Sequence, residues 1–176
     1  MEYVRIKSTN DQQFEELIAL YLESFPRNER LEIDDFKQLL NTNQSLRCYA
    51  VLVNDAFVGF LNFWEFEDFV YLEHIAILPS LRGHKLGEKV ILKLKSSINK
   101  PIVLEAETAE SSEFGERRIN FYKRLGFDIL PVKYYQPPYR KGEEYVYLEI
   151  MSDDLVFAKS NFEKIKNTIY KEVYQV

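Results

Sequence analysis

Cysteine is almost absent from this chain of 176 residues, which carries one, at position 48. One cysteine cannot form a disulfide within the chain and cannot build a cysteine-rich metal site. The two histidines, His74 and His84, add little to the ligands that a zinc centre needs. We therefore expect no metal, and we predict that Cys48 is a buried apolar residue in the strand-like run 46–53.

Long hydrophobic runs and a surplus of basic residues are also missing. No apolar run approaches the ~20 residues of a membrane-spanning helix, and residues 1–6 lack the apolar core of a signal peptide. The net charge is −5, and no extended basic stripe marks a nucleic-acid-binding surface. We expect a cytoplasmic protein that binds neither nucleic acid nor membrane.

Apolar residues are plentiful enough for a core. They make up 46% of the chain and charged residues 29%, a balance typical of one soluble domain of this length. Apolar periodicity and turn residues predict the order β-α-α-β-β-β-α-β-α-β-β over about residues 2–151. Asp11 or Asn10 is the predicted cap of the first helix.

A strand, a basic turn and an amphipathic helix follow one another in residues 69–98. Arg82 to Gly87 precede the helix, whose exposed N–H groups and partial positive charge attract phosphate. Glycine lets the backbone approach an anion, and Arg82, His84 and Lys85 add charge. The pattern predicts a pyrophosphate-binding turn. The helix face is predicted from a four-residue recurrence of Leu86, Val90, Leu94 and Ile98.

A second informative segment is Arg118-Ile-Asn-Phe-Tyr122-Lys-Arg-Leu-Gly126-Phe127. It is typical of a helix end, a glycine just past it and a strand that begins at Phe127.

Both segments resemble the GNAT superfamily of N-acetyltransferases. The acyl-CoA turn of that family reads Arg or Gln, two residues, Gly, one residue, then Gly or Ala. Arg82 fills the first place and Gly87 the last, while Lys85 stands where the middle Gly is usual. The departure indicates either that this position does not need a positive φ or that the loop is reshaped, with Gly83 supplying some of the freedom.

The resemblance implies a GNAT fold, in which a mixed, mostly antiparallel sheet is flanked by helices, over residues 1–152. It implies acetyl-CoA as the co-substrate. Backbone groups of Ile75 and Ile77 would pair with pantetheine, and one N–H there would stabilise the oxyanion. The implied pyrophosphate turn comprises Arg82, Gly83, His84, Lys85, Leu86 and Gly87.

By the same resemblance, Tyr122 protonates the departing thiolate, a step that suits a phenol. The alternative is that Tyr122 and Phe121 are core aromatic residues. A general base is sought among carboxylates in apolar strands, where charge is rarely buried without a partner. Glu73 is preferred over Glu105, with pairing to an arginine or exposure to solvent as the alternatives. His74 alternates with Glu73, so that only one of the two is expected to face the cleft.

The acceptor pocket is expected at two segments that resemble those of one GNAT subgroup, residues 25–30 and 134–140. Tyrosine rings there can hold a cation at ~0.5–2 kcal/mol each, although a rigid loop packed on the sheet would look the same. Trp64 and Phe66 are expected in the core, and the alternative is that they line the same pocket. The predicted substrate is a small-molecule amine or a peptide amine.

Residues 153–176 are predicted to form a helical extension capped by Asp153 or Asp154. It would pack on the protein's own sheet, form a homodimer contact or cover the acceptor site. The function predicted for the whole chain is direct acetyl transfer from acetyl-CoA to a primary amine. The alternative is a CoA-binding module or sensor without turnover. The predicted apolar stripe of the extension comprises Val156, Phe162, Ile165, Ile169 and Val173.

Overall fold

The computed structural model describes residues 1–110 and 113–176. Its strands are β1 (Glu2–Ile6), β2 (Leu46–Val53), β3 (Ala56–Glu65), β4 (Val70–Ile77), β5 (Ile102–Ala106), β6 (Asp128–Ile129), β7 (Tyr134–Gln136) and β8 (Val146–Ser152). Its α-helices are α1 (Phe14–Ser24), α2 (Ile33–Thr42), α3 (Leu86–Ser97), α4 (Glu113–Arg124), α5 (Leu155–Ser160) and α6 (Phe162–Ile169). Short 3₁₀ turns lie at Arg27–Glu29 and Pro79–Leu81, and a π-helical turn at Tyr170–Tyr174 follows α6.

The helices and strands belong to two compact units. The first comprises Met1–Glu67 and Leu72–Ile98, and the second Asp68–Tyr71 and Asn99–Val176. Both combine helices with strands that pair mostly antiparallel, which confirms the predicted fold class.

The sheet of the first unit has the order β1-β2-β3-β4. β1 pairs antiparallel with β2, and β2 with β3. The hairpin turn between β2 and β3 consists of Asn54 and Asp55, whose φ angles are 50° and 63°. Both residues tolerate the left-handed region, which a two-residue hairpin of this twist requires. The predicted hairpin is confirmed.

α1 and α2 bury their apolar faces against one side of that sheet. Cys48 is fully buried there, as predicted. The predicted cap at Asp11 is wrong. Its carboxylate accepts hydrogen bonds from the N–H groups of Lys7 and Ser8, and the helix begins after Gln13. The cluster contains Phe14, Leu17, Leu20, Tyr21, Phe36, Leu40, Cys48, Ala50, Phe60 and Ala76.

α3 buries Val90, Ile91 and Leu94, two of them in the predicted stripe. Leu86 is half-buried, and Ile98 lies one residue past the end of the helix, so the stripe is shorter than predicted. The hydroxyl of Tyr3 donates to the carbonyl of Val90, which ties β1 to this helix.

The second unit is built around β8, which pairs antiparallel with β5, β6 and β7. The Tyr/Pro segment was predicted to be a loop, and its first three residues are instead β7. The register pairs Tyr134 with Leu148 and Gln136 with Val146. A short strand therefore holds Tyr134 and Tyr135, two of the three tyrosines in the segment that the sequence assigns to the acceptor pocket.

The C-terminal segment is two helices and a π-helical turn rather than one helix. Asp154 caps α5 through a hydrogen bond from the N–H of Phe157, as predicted. The helix breaks at Asn161, which interrupts the stripe, and Val156 is 79% exposed. The rest of the stripe packs inward, with the half-buried Phe162 and the buried Ile165, Ile169 and Val173.

Candidate active site

The turn between β4 and α3 carries the predicted phosphate-binding residues. Arg82, Gly83, His84 and Lys85 are exposed, and Leu86 and Gly87, the first residues of the helix, are half-buried. In the described part of the chain no side chain caps the N-terminus of α3. Its first N–H groups therefore face outward beside three basic side chains, an arrangement suited to an anion.

Lys85 adopts the left-handed conformation, with φ 57° and ψ 20°. The suggestion that this position does not need a positive φ is therefore wrong. Gly83 also has a positive φ, of 85°, so the turn contains two such residues. For a residue with a side chain, the left-handed conformation is less stable than the right-handed one by ~1–2 kcal/mol. The rest of the fold offsets this cost at Lys85.

Arg82 is tied to the end of β4. Its Nε donates to the carbonyl of Ile77 at 3.0 Å, and His84 Nδ1 lies 3.3 Å from the carbonyl of Leu81. The hydrogen bond from Arg82 fixes its guanidinium beside the end of β4 and occupies the Ile77 carbonyl as an acceptor. Ile75 is half-buried and Ile77 is buried.

Glu73 lies in a polar cluster of the first unit. Its carboxylate accepts a hydrogen bond from the indole Nε1 of Trp64 at 2.7 Å. The Nδ1 atom of His74 lies 3.7 Å from the same oxygen, and both side chains are only 4% exposed. Both adjacent side chains are therefore buried, and the expectation that only one of them faces the cleft stays a prediction.

His74 is held from the other side by the predicted acceptor segment. Its Nε2 lies 3.0 Å from the carbonyl of Glu29. The rings of Tyr21 and Phe25 pack edge-on against the imidazole, with centroids at 5.1 and 4.4 Å. Arg30 Nε donates to the carbonyl of Phe25 at 3.0 Å, which closes the segment on itself. The structure thus brings residues 25–30 together with His74, which lies beside Glu73.

Glu105 lies in the second unit, inside a tyrosine network. The hydroxyls of Tyr134 and Tyr174 both donate to its carboxylate, the second at 2.8 Å. Gln136 Nε2 donates to the Tyr174 hydroxyl at 2.6 Å. The hydroxyl of Tyr71 lies 3.1 Å from the same Tyr174 hydroxyl. Since Tyr174 has one O–H, which it gives to Glu105, Tyr71 is the donor to Tyr174. The whole network converges on one carboxylate.

Tyr122 is buried near the end of α4, with its ring 5.7 Å from that of Phe127. Gly126, with φ 82°, ends the helix as predicted. The N–H of Phe127 donates to the carbonyl of Tyr122 and that of Gly126 to Lys123, a Schellman motif. Burial raises the pKa of the Tyr122 phenol to about 12, so the hydroxyl keeps its proton at neutral pH.

Known proteins resemble this chain in sequence and structure. Residues 12–127 match the acetyltransferase (GNAT) family. The chain belongs to this family. It is an acyl-CoA-dependent N-acyltransferase.

A GNAT-family acetyltransferase structure from Bacteroides thetaiotaomicron is 31% identical, with a TM-score of 0.94, and the match covers 100% of this chain and 99% of that one. YjbC of Bacillus subtilis (strain 168), whose name describes an acetyltransferase, is 40% identical over 68 residues, 38% of this chain. That match spans only 35% of YjbC. Arabidopsis thaliana Naa50, in complex with the bisubstrate analogue CoA-Ac-MVNAL, is 21% identical with a TM-score of 0.58, over 86% of this chain and 98% of that one. The last likeness shows the GNAT fold alone.

The sequence did not predict the surroundings of three residues of this GNAT chain. Trp64 was expected in the core, and it is fully buried, but its indole N–H also holds Glu73. Tyr174 was not assigned a role, yet it contacts Glu105. Asn62 is fully buried, and neither of its amide atoms has a hydrogen-bond partner within the described residues. A polar residue in the otherwise apolar run 57–64 was the one available signal for Asn62.

Residues 1–110 and 113–176 contain no cluster of three or more His, Cys, Asp or Glu side chains that could bind a metal ion. Within the same residues, no helix is both long and apolar enough to cross a membrane.

Proposed function

We propose that the protein transfers an acetyl group from acetyl-CoA to a primary amine by direct attack, with no covalent enzyme intermediate. The observation that carries the proposal is the carboxylate of Glu73, which is 96% shielded from solvent and lies against His74 in the unit that also contains the basic turn. A buried carboxylate beside an imidazole is suited to accept a proton.

The chemistry divides into four roles. Arg82, Lys85 and the N-terminus of α3 hold the pyrophosphate of CoA. Backbone groups at Ile75 and Ile77 align the pantetheine arm and the thioester carbonyl. The amine nitrogen attacks the thioester carbon, and Glu73 takes the proton that the nitrogen loses. As the C–S bond breaks, Tyr122 gives its proton to the thiolate.

The burial of Tyr122 is consistent with its proposed role as the proton donor to the thiolate. Because its pKa is raised to about 12, the phenol is fully protonated when the thiolate leaves. A thiolate is the weaker base, with a usual thiol pKa of ~8.5, so the transfer is uphill unless it is coupled to collapse of the intermediate. The proposal therefore requires a concerted step.

The acceptor remains a class of molecules, namely small-molecule and peptide amines. The net charge of −5 favours a cationic acceptor. The Naa50 neighbour, bound to an analogue that joins CoA to a peptide, makes peptide N-termini a reasonable part of a first panel.

The test is release of free CoA thiol from acetyl-CoA with a panel of small amines, amino acids, peptide N-termini, lysine peptides and aminoglycosides. At least one amine should be acetylated, and Glu73→Gln should lose that activity. Arg82→Ala should raise KM for acetyl-CoA about tenfold to a hundredfold, the range for a charge-assisted hydrogen bond. A thermal shift with CoA serves as the control, since a ligand at 100 times its Kd stabilises by ~2.7 kcal/mol. A thermal shift without turnover of any amine would favour a CoA sensor instead.

A further inference from the structure

One nitrogen of His74 must carry a proton. Its Nε2 lies 3.0 Å from the backbone carbonyl of Glu29. A carbonyl oxygen only accepts hydrogen bonds, so this contact is attractive only when Nε2 bears the hydrogen. The neutral ring then presents the lone pair of Nδ1 on its other side.

That lone pair faces a carboxylate. Nδ1 lies 3.7 Å from Oε2 of Glu73, and an ionised carboxylate is also purely an acceptor. Two acceptors at this distance repel each other, whereas a single proton between them makes the contact an attraction. Trp64 Nε1 donates to the same oxygen at 2.7 Å, which favours the ionised form of Glu73. The proton of a protonated pair therefore belongs on Nδ1.

Titratable and charged groups of three neighbouring segments surround this pair. Tyr21 of α1 packs against the imidazole, and Cys48 of β2 lies within the electrostatic reach of Glu73. Burial raises the pKa of the Tyr21 phenol and of the Cys48 thiol well above their ordinary ranges, so both stay neutral. The segment after α1 contributes the guanidinium of Arg30, which acts electrostatically on Tyr21. Trp64 of β3 does not titrate.

We propose that Glu73 and His74 act as one proton acceptor, in which Glu73 takes the proton from the attacking amine and His74, as a positioning residue, holds it on Nδ1. The identity of the donor amine rests on the proposed function, while the proton sharing does not. In the step, the lone pair of the amine nitrogen forms the new C–N bond, and the C–S bond breaks and releases the CoA thiolate, which takes its proton from Tyr122. The N–H bond that breaks leaves its electron pair on nitrogen. The proton passes to a carboxylate oxygen of Glu73 and then to Nδ1, leaving an ion pair of carboxylate and imidazolium.

The direction of the transfer follows from burial. Before the step the pair carries one negative charge in a site that is almost shielded from solvent, which is unfavourable. After the step the pair is neutral overall, and the imidazolium has the Glu29 carbonyl as a hydrogen-bond acceptor and the Glu73 carboxylate as an ion-pair partner at 3.7 Å. The two residues therefore take up a proton as a unit.

Nitrogen-15 NMR of the histidine rings tests the proton sharing without any substrate. The chain has two histidines, and the exposed His84 serves as an internal reference. We expect Nε2 of His74 to carry a hydrogen at every pH at which the protein is folded, and Nδ1 to gain one as the pH falls. Glu73→Gln should lower the midpoint of that change by ~1–3 pH units, the usual effect of an opposite charge within 4–6 Å, and leave His84 unmoved.

An Nε2 without hydrogen in the neutral ring, or a His74 midpoint that Glu73→Gln does not move, would overturn the proposal. If that variant does not fold, the tautomer in the wild-type protein still decides the first point.

The second arm uses whichever amine the panel identifies. His74→Gln keeps a donor toward Glu29 but cannot hold the proton. We expect kcat to fall about tenfold or more, KM for acetyl-CoA to stay constant, and the acidic limb of the kcat/KM profile to move. An unchanged pH profile in this variant would contradict the proposal. If no amine is turned over, the proposed function fails, and the NMR result alone then decides whether the pair shares a proton.

Discussion

Glu73 and Glu105 are the same residue type on strands of two different units, and they face different partners. Glu73 accepts from an indole N–H and lies beside an imidazole. Glu105 accepts from the hydroxyls of Tyr134 and Tyr174. Both sit in apolar strands, and the sequence alone made both candidates for the general base.

The difference lies in what the neighbours can do with a proton. Burial and the nearby carboxylate raise the pKa of Tyr134, and burial raises that of Tyr71, so these phenols stay protonated and act only as donors. Tyr134 donates to the Glu105 carboxylate directly and Tyr71 donates to Tyr174, which donates to Glu105, so that neither raised phenol can receive a proton from the carboxylate. The neighbour of Glu73, the imidazole of His74, can receive a proton. A strand carboxylate therefore becomes a base or a structural acceptor according to the groups packed against it.

The largest expected effect comes from removing the charge of each carboxylate in turn. Glu73→Gln should lower kcat by ~10²–10⁴, the range for general acid–base catalysis, with little change in melting temperature. Glu105→Gln is the matched control, and it should retain kcat to within a few-fold. Both are measured by thiol release with the same amine.

The opposite pattern, with loss of kcat in Glu105→Gln alone, would reverse the assignment of the base. Equal losses in both variants would remove the distinction drawn between the two strands.

Tyr122 tests whether the second unit supplies chemistry as well as structure. Tyr122→Phe keeps the ring and removes the hydroxyl. We expect kcat to fall about 10²-fold, the lower end of general acid catalysis because water replaces part of the function, while CoA affinity barely changes. A structural hydroxyl would behave differently, since its loss costs ~1 kcal/mol of stability and leaves kcat unchanged. Wild-type kcat in this variant would refute the catalytic role.

Local patterns predicted most of the fold. The hairpin at Asn54 and Asp55, the helix after the basic turn and the glycine stop at Gly126 all follow from residues adjacent in sequence. The C-terminal stripe was only partly right, because its periodicity assumed one helix. The break at Asn161 separates α5 from α6 and leaves Val156 exposed.

The candidate site was harder to predict because its contacts are long-range. The contact between Tyr174 and Glu105 spans 69 positions, and no local pattern marks it. The contact between His74 and the Glu29 carbonyl spans 45 positions and involves the backbone, so that residue type carries no signal. Strand alternation predicts opposite Cβ directions for Glu73 and His74, but it does not predict that Oε2 of the first lies 3.7 Å from Nδ1 of the second.

Glu105 should matter for stability. Glu105→Gln weakens two hydrogen bonds to a charged acceptor, and we expect a loss of about 2 kcal/mol in the free energy of unfolding. For a chain of this size that lowers Tm by about 4–8 °C. The exposed Glu15 of α1 provides the control, because Glu15→Gln should leave Tm nearly unchanged. An unaltered Tm in Glu105→Gln would mean that the tyrosine network contributes little.

Alkaline pH should weaken the second unit through the same tyrosines. The pKa values of Tyr71, Tyr122 and Tyr134 are raised in the folded protein, so the folded state holds their protons more tightly than the unfolded state. Their contribution is complete below pH ~10, the ordinary phenol pKa, and is lost as the pH rises above it. Phenolate absorbance and unfolding should therefore rise together above pH ~10. Full ionisation of all tyrosines without unfolding would contradict this account.

The smallest expected effect concerns Lys85, where the basic turn combines a charge with an unfavourable backbone conformation. Lys85→Gly removes both, and relief of the left-handed strain, offset by the greater freedom of glycine in the unfolded chain, should raise stability by up to ~1 kcal/mol. Lys85→Gln removes the charge alone and should leave Tm unchanged. If the ammonium contacts the pyrophosphate, both variants should raise KM for acetyl-CoA by a few-fold, as expected for an exposed ion pair. A higher KM in the glycine variant alone would instead assign the effect to the backbone, because the two variants differ only in conformation and not in charge.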